Sequence, residues 1–457
     1  MAPQSLAELI ELLRQCDELV NIDVALDPCL EVSAFADRVC KGALGGRALR
    51  FGRVGDSPFA VLMNLFGSAS RMALALGLGS LGELGQRLHR DLESLSAHPA
   101  DTAIRRLLED ASYAPRVEAR APWMDRTLPD FSSLPALTAW PGDGGAYLTL
   151  AQMHSRDPIS GTYNCGLYRM QILGPRKGAI RLHPGSGLGA HLAAGAEAGH
   201  RELPLAIVLG GPPTMLLAAC TSLPQSTDEQ RFAAWVQKHP LTLTPSPIFG
   251  IPVSSEADFV LEGVLATGEQ VPEGPFGNHS GFYQPQHRAP CFHLKGIRHR
   301  SDALYPATLV GRPPMENLWL GRAQEQISLV RLRIDYPQIQ DLHMPQGGIY
   351  HRCALLRVSE GGTHGDRREL LDALMRQGPL QGGRLVILVD EDIDLRNSDE
   401  VFWAAINRGF DAKRWVRRGS SLGVDAGFGG HSLDRVLPDA QVEERVRKLL
   451  ADFERQN

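Results

Sequence analysis

The chain has 457 residues, of which 43 % are hydrophobic and 22 % charged, with a formal net charge of −5. That length predicts about three domains, and the composition is that of a globular protein, which excludes global disorder and a fibrous fold. An acidic balance without a basic field argues against a nucleic-acid partner, and no apolar run reaches the roughly 20 residues that a membrane span needs.

The first helix is legible at once. Ser5 and Glu8 form a capping box, and Leu6, Leu9, Ile10 and Leu13 fall on one face. The segment has neither a basic n-region nor an apolar h-region, so no signal peptide is expected. Seven scattered cysteines, an odd count without CxxC, argue against disulfides and thiolate zinc, and point to a reduced cytoplasmic setting.

Short helical and strand patterns run on to about Leu108 and predict a small α/β region over residues 1–113. A Pro-rich connection, Ala114 to Pro141, leads into a β-rich middle over 114–311. There Tyr147–Ser155 reads as a strand, Asp157–Gly161 (DPISG) as a turn, and Tyr163–Leu173 as the returning strand. Gly178–His183 is the next strand, followed by a helix near Leu188–Glu202 and strands at Leu205–Leu209 and Phe259–Leu265.

From about Arg312 the pattern reverts to α/β, with ISLVRLRI, GRLVILVD and the helix SDEVFWAAINRG in a third unit over 312–435. A tail, 436–457, carries an amphipathic helix whose Val442, Val446, Leu449 and Leu450 share one stripe. Such a stripe predicts docking on a second subunit, in a homodimer or a larger ring of dimers.

Gly185-Ser-Gly187-Leu-Gly189-Ala190 matches the dinucleotide fingerprint G-x-G-x-x-A. The next strand, LAIVLGGPP, ends without the acid that would hold a ribose, which argues against nicotinamide binding.

Three segments concentrate polar chemistry. They are GTYNCGLYRMQ with Asn164 and Arg169, LPQSTDE ending in Glu229, and EGPFGNHSGFY with Glu273, Asn278 and His279. Asn164 and Arg169 differ by five, so on a regular strand they face opposite sides unless a bulge or bend intervenes. The Gly-Pro-Phe-Gly turn predicts a fixed relation between Glu273 and Asn278.

Taken together, WPGDGGAY, SRDPISGTYNCGLYRMQ, LPLAIVLGGPP, ADFVLEG, VPEGPFGNHSGFY and VDEDIDLRNSDEVFWAAINRG resemble the UbiD-type decarboxylases that use prenylated FMN. The resemblance implies an N-terminal α/β region, a middle split β-barrel that binds the flavin, and a C-terminal α/β domain used in oligomerisation. It also implies a divalent metal, Mn²⁺ or Mg²⁺, that clamps the cofactor phosphate. Asn164 and Glu229 match two of its ligands, and His183 is the third choice, with His191 as competitor. One imidazole, one carboxylate and one amide oxygen suit such an ion. Main-chain carbonyls near Ala219–Thr221 are implied to hold K⁺.

In the same family Arg169 matches the active-site arginine and Glu273 its partner glutamate. An arginine fork suits a substrate carboxylate, and pairing to Glu273 would orient it. Asn278 stands where the family usually carries an acid. An amide cannot deliver a proton, so that role passes to Glu273, His279 or a water held by Asn278, and membership of the ubiquinone-pathway branch is disfavoured.

The implied activity is reversible, non-oxidative decarboxylation of an aromatic, heteroaromatic or α,β-unsaturated carboxylic acid. A flavin prenyltransferase would supply the cofactor, and loops near Gln340–Tyr350 and Gly427–His431 would tune the pocket. The alternatives are a split-barrel oxidoreductase using plain FMN, and an inactive cofactor-binding homologue.

Overall fold

The computed structural model describes residues 1–42, 45–359, 364–428, 436 and 439–456. Ser5 caps the helix Leu6–Gln15 by accepting the Glu8 amide at 3.2 Å, and Leu6, Leu9, Ile10 and Leu13 are buried as their spacing predicts. Leu19–Ile22, Ala48–Phe51 and Val61–Met63 form a small sheet whose fourth strand, Tyr305–Pro306, returns from far along the chain. The segment ISLVRLRI lies within the helix Asn317–Asp335. Its Leu320, Ala323, Ile327 and Val330 share one core with Leu84, Leu88 and Ile104 of the N-terminal helices.

The middle of the chain is a nine-stranded sheet. Its order is Tyr147–Leu148, Met170–Gly174, Lys177–Ile180, His287–His299, Ala257–Glu273, Glu202–Gly210, Gln152–Arg156 and Tyr163–Leu167, with Arg126–Leu128 added beside His287–His299. All of its pairings are antiparallel. Tyr163–Leu167 and Met170–Gly174 are two residues apart in sequence yet lie near opposite ends of that order. The sheet therefore curls until its ends meet, and Tyr168–Arg169 spans the seam of a split barrel.

This curl also explains two departures from the periodicity reading. The single strand expected over Tyr147–Ser155 is two strands, because Tyr147–Leu148 pairs with Met170–Gly174 whereas Gln152–Arg156 pairs with Tyr163–Leu167. Tyr163–Leu173 divides at the seam for the same reason. The turn between them is as expected: Asp157 Oδ1 accepts the amides of Ile159 and Ser160 at 2.7 and 3.0 Å, and Gly161 takes φ +72°.

The glycine fingerprint does lie between a strand, Lys177–Ile180, and a helix, Gly187–Glu197. The following strand, Glu202–Gly210, pairs antiparallel with Ala257–Glu273 and Gln152–Arg156. A dinucleotide turn needs a parallel βαβ unit, so the match is a coincidence of glycines.

The C-terminal unit is a five-stranded sheet in the order Ile339–His343, Cys353–Val358, Leu385–Val389, Ser421–Asp425, Trp415–Arg418, with parallel pairing at its centre. The terminal helix Ala440–Gln456 leaves Val442, Val446, Leu449 and Leu450 exposed. None of the described helices is long and apolar enough to cross a membrane. All seven cysteines are free thiols.

Candidate active site at the barrel seam

The seam opens on a cavity of about 880 Å³ whose wall includes Asn164, Arg169, His183, His191 and Glu229. The parity problem between Asn164 and Arg169 is resolved by the bend at Tyr168–Arg169, which turns both side chains into one cavity.

Asn164 sits on the edge strand, opposite Ser155. It packs against the start of the helix Gly187–Glu197 so closely that a Cβ on Gly187 would lie 1.9 Å from Asn164 Oδ1. A side chain at 187 would therefore displace the Asn164 amide from this position. Asn164 Nδ2 is buried without a hydrogen-bond partner.

Glu229 is the first residue of the helix Glu229–Gln237, capped by Asp228. Its carboxylate accepts the Cys165 amide at 3.0 Å, beside Asn164. Burial pushes the Glu229 carboxyl up to about 8, and no cationic side chain among the described residues pairs with it.

The two candidate histidines stand differently. His191 is buried, with Nδ1 2.9 Å from Ser155 Oγ, on the strand pair that carries Asn164. His183 lies on the loop leading into the same helix, and its pKa is lowered by burial first and then by the charges of Arg181 and Arg169. Arg181 also faces the cavity, with Nε buried and unpartnered.

Arg169 binds Glu273 bidentately, Nε to Oε1 at 2.8 Å and Nη2 to Oε2 at 3.1 Å. Its guanidinium also stacks 4.1 Å from the centre of the Phe276 ring. Glu273 is fully buried behind Arg169, outside the cavity wall. The side-on edge of the guanidinium is thus taken, and Nη1, without a protein partner among the described residues, leaves the end-on edge for a ligand.

The turn that follows Glu273 is braced from the WPGDGGAY segment and from Gln171. Asp143 Oδ1 accepts the Gly277 amide at 2.7 Å, Gln171 Oε1 accepts the Gly274 amide at 2.8 Å, and Tyr147 donates its hydroxyl to the Pro275 carbonyl at 3.1 Å. This bracing holds Glu273 and Phe276 rigidly against Arg169.

Asn278 is buried and also lies off the cavity wall; its Oδ1 accepts the His279 amide at 2.7 Å. His279 does reach the cavity.

Several site residues escaped the sequence reading. His287 is the cross-strand partner of Glu273, with Nδ1 3.2 Å from Oε2. Tyr350 and His351 enter the cavity from the C-terminal unit, the first within the anticipated Gln340–Tyr350 loop and the second just beyond it. Of the second loop, Gly427 and Phe428 lie off the cavity wall and 429–431 fall outside the described residues.

A separate cluster, Glu269, Cys291 and His293, brings three donor atoms within 4.8 Å of one another. Lys177 already supplies it with a cation at 2.9 Å from Glu269.

Comparison with known proteins agrees with this architecture along the chain. Residues 115–313 match the 3-octaprenyl-4-hydroxybenzoate carboxy-lyase Rift-related domain, 10–88 its N-terminal domain and 318–415 its C-terminal domain. An uncharacterised protein of Archaeoglobus fulgidus is 34 % identical over 91 % of this chain and 86 % of its own length. Another, from Aquifex aeolicus, is 33 % identical over 88 % and 84 %.

Among solved structures, an evolved dimeric form of the UbiD-class enzyme HmfF from Pelotomaculum thermopropionicum, in complex with prenylated FMN, has a TM-score of 0.78 at 25 % identity, covering 96 % of this chain and 98 % of that one. The closed form of vanillic acid decarboxylase from Sedimentibacter hydroxybenzoicus has a TM-score of 0.85 at 21 % identity, over 98 % and 99 %. With three consecutive domain models matched and the split barrel built around Arg169 and Glu273, the chain belongs to the UbiD-class (de)carboxylase family.

Proposed function

We propose that the chain is a carboxy-lyase that removes CO₂ reversibly, without net oxidation, from an aromatic, heteroaromatic or α,β-unsaturated carboxylic acid, with prenylated FMN in the seam cavity. The observation that carries this reading is Arg169. Its side-on edge is locked to buried Glu273, and its end-on edge faces a cavity large enough for a cofactor and a small acid together.

The residues present fit the cofactor and its ion. Asn164, Glu229 and one of His183 or His191 would hold Mn²⁺ or Mg²⁺, which would neutralise a carboxylate that otherwise lacks a cation. Arg181, with its unpartnered Nε, and the amino end of the helix Gly187–Glu197 suit the cofactor phosphate. Ala219–Thr221 line the same cavity, and their carbonyls would take K⁺. When bound, prenylated flavin supplies a covalent electron sink for the carbanion that CO₂ loss leaves behind.

The chain's own residues do the rest. Arg169 receives the carboxylate on its free edge, Phe276 fixes the guanidinium plane, and Glu273 sets its orientation. The apolar share of the wall disfavours the charged acid relative to neutral CO₂. Glu273 would manage the proton from behind Arg169, which requires a bridging water or a shift of that pair when substrate binds.

The test is a panel of carboxylic acids offered to protein co-expressed with a flavin prenyltransferase, followed by CO₂ release and by deuterium incorporation from D₂O. Protein that purifies with plain FMN and turns over nicotinamide donors, with no exchange on any acid, would overturn this reading in favour of an oxidoreductase.

Two further results are expected. Of His183→Ala and His191→Ala, only the variant that removes the true ligand loses bound metal by elemental analysis. If both retain it, neither histidine is a ligand. Deleting residues 438–457 should lower the mass measured by light scattering, because the apolar stripe of the terminal helix is exposed on the single chain. An unchanged mass would show that this helix does not join subunits.

A further inference from the structure

A second constellation of donor atoms lies on the barrel, off the wall of the seam cavity. Cys291 and His293 alternate along the strand His287–His299, so both project to one face while Phe292 between them packs into the core. Glu269 reaches the same face from the neighbouring strand through a bulge. Leu265 pairs with Phe292 and Gln270 with Pro290, so five steps of one strand span two of the other. Gly268, at φ +83°, permits that excursion. One donor atom each from Glu269, Cys291 and His293 then lies within 4.8 Å of the other two.

Ion pairing accounts for part of this cluster. Lys177, directly opposite His293 on the next strand, holds Glu269 Oε1 at 2.9 Å, and His293 Nε2 lies 2.6 Å from Oε2. It does not account for Cys291, whose thiol is uncharged, fully buried and aimed at the same point. Thiolate, imidazole and carboxylate are the donor types of zinc sites, and bonds of about 2.0–2.3 Å set tetrahedral ligands roughly 3.3–3.7 Å apart. The spacing here, from 2.6 Å to at most 4.8 Å, brackets that range. Sulfur as a donor disfavours Mg²⁺, Ca²⁺ and Mn²⁺, which prefer oxygen. The side chains of Glu269 and His293 are 37 % exposed and that of Lys177 is 43 % exposed, so an ion can enter from solvent and the lysine can swing clear.

We propose that Glu269, Cys291 and His293 form a zinc site, separate from the ligand set at the seam, in which a water completes the tetrahedron. On binding, the Cys291 thiol loses its proton to solvent as the Zn–S bond forms. His293 Nε2 exchanges its proton for the metal, and the neutral ring keeps one on Nδ1. Lys177 releases Glu269 Oε1. The ion thereby ties the bulge to the neighbouring strand, four residues along from the Glu273–His287 pair. The site stands on its own geometry, whatever the reaction at the seam.

The test is titration of the full-length protein with Co²⁺, followed by competition with Zn²⁺. The seam ligands offer only nitrogen and oxygen, so a thiolate-to-cobalt charge-transfer band in the near ultraviolet reports this site alone. The wild type should develop the band to one ion per chain, and Zn²⁺ should bleach it. Cys291→Ser should lose the band. An outer-shell partner alone is worth about 10–100-fold in metal affinity, so this variant and His293→Ala should each bind Zn²⁺ about 100-fold more weakly, or worse. Lys177→Met, which removes the competing cation, should bind it roughly fivefold more tightly, the worth of a half-exposed ion pair. Glu229→Ala, at the seam, should keep the band.

No band in the wild type, or a band that survives Cys291→Ser, overturns the assignment. So does Zn²⁺ affinity unchanged in His293→Ala or weakened in Lys177→Met. Loss of the band in Glu229→Ala also overturns it, by placing the thiolate-bound ion at the seam.

Discussion

Glu273→Gln is expected to abolish turnover while the protein keeps its cofactor. Glutamine preserves the shape of the side chain but removes its charge. One of the two oxygens that Arg169 grips at 2.8 and 3.1 Å becomes an amide that donates, so donor faces donor. Glu273 is wholly buried, and Arg169, 12 % exposed beside it, is penalised when that partner is neutralised. Arg169 then turns away from the plane that presents its free edge, and the carboxylate that handles the proton is gone.

Loss of general acid–base catalysis alone predicts a fall of about 10² to 10⁴ in kcat/KM, a barrier increase of roughly 3–5 kcal/mol. Flavin absorbance and circular dichroism should match the wild type. A fall of only about tenfold, roughly 1.4 kcal/mol, would show that the proton comes from elsewhere, and His287, at 3.2 Å from Glu273, would be the first candidate. Asn278→Asp should retain activity. Its oxygen would still accept the His279 amide, and it restores an acid that the family usually carries there.

The contrast between Glu273 and Asn278 bears on what a sequence can reveal. The first helix was readable because its capping box and apolar spacing are local, as was the DPISG turn, whose Asp157 and Gly161 act within five residues. The seam was not. Whether Asn164 and Arg169 face together depends on where strands change partners, and that is set by the order of the whole sheet.

His287 was hidden for a related reason. Its pairing with Glu273 lies beyond a register slip between Leu265 and Gln270, so a count carried on from the strand Phe259–Leu265 misses it. Tyr350 and His351 come from another unit altogether. Arg169, Glu273 and Glu229 were found through family resemblance, and residue spacing alone would have left each as an ordinary loop or strand position.

Glu229→Ala is expected to cost the protein its metal and its prenylated flavin while leaving it folded. In the parent protein the Glu229 carboxylate ends at the Cys165 amide and has no cationic partner among the described residues. Its removal costs the hydrogen bond to Cys165, about 1–3 kcal/mol if that amide is left unpaired, and also relieves a carboxylate that burial holds in an unfavourable setting. Circular dichroism should therefore be little changed.

The same setting makes metal uptake pH-dependent in a defined sense. Burial raises the metal-free carboxyl to about 8, so at pH 6 or 7 it carries a proton that an incoming cation must displace. Apparent Mn²⁺ affinity should rise about tenfold per pH unit up to about pH 8 and then level off, with close to one proton released per ion at the acid end. Glu229→Gln, which cannot ionise, should lose this slope along with most of the affinity. Full cofactor occupancy by mass spectrometry in Glu229→Ala would remove Glu229 from the metal site. A flat pH profile in the parent would show instead that the ion binds without displacing a proton from this carboxyl.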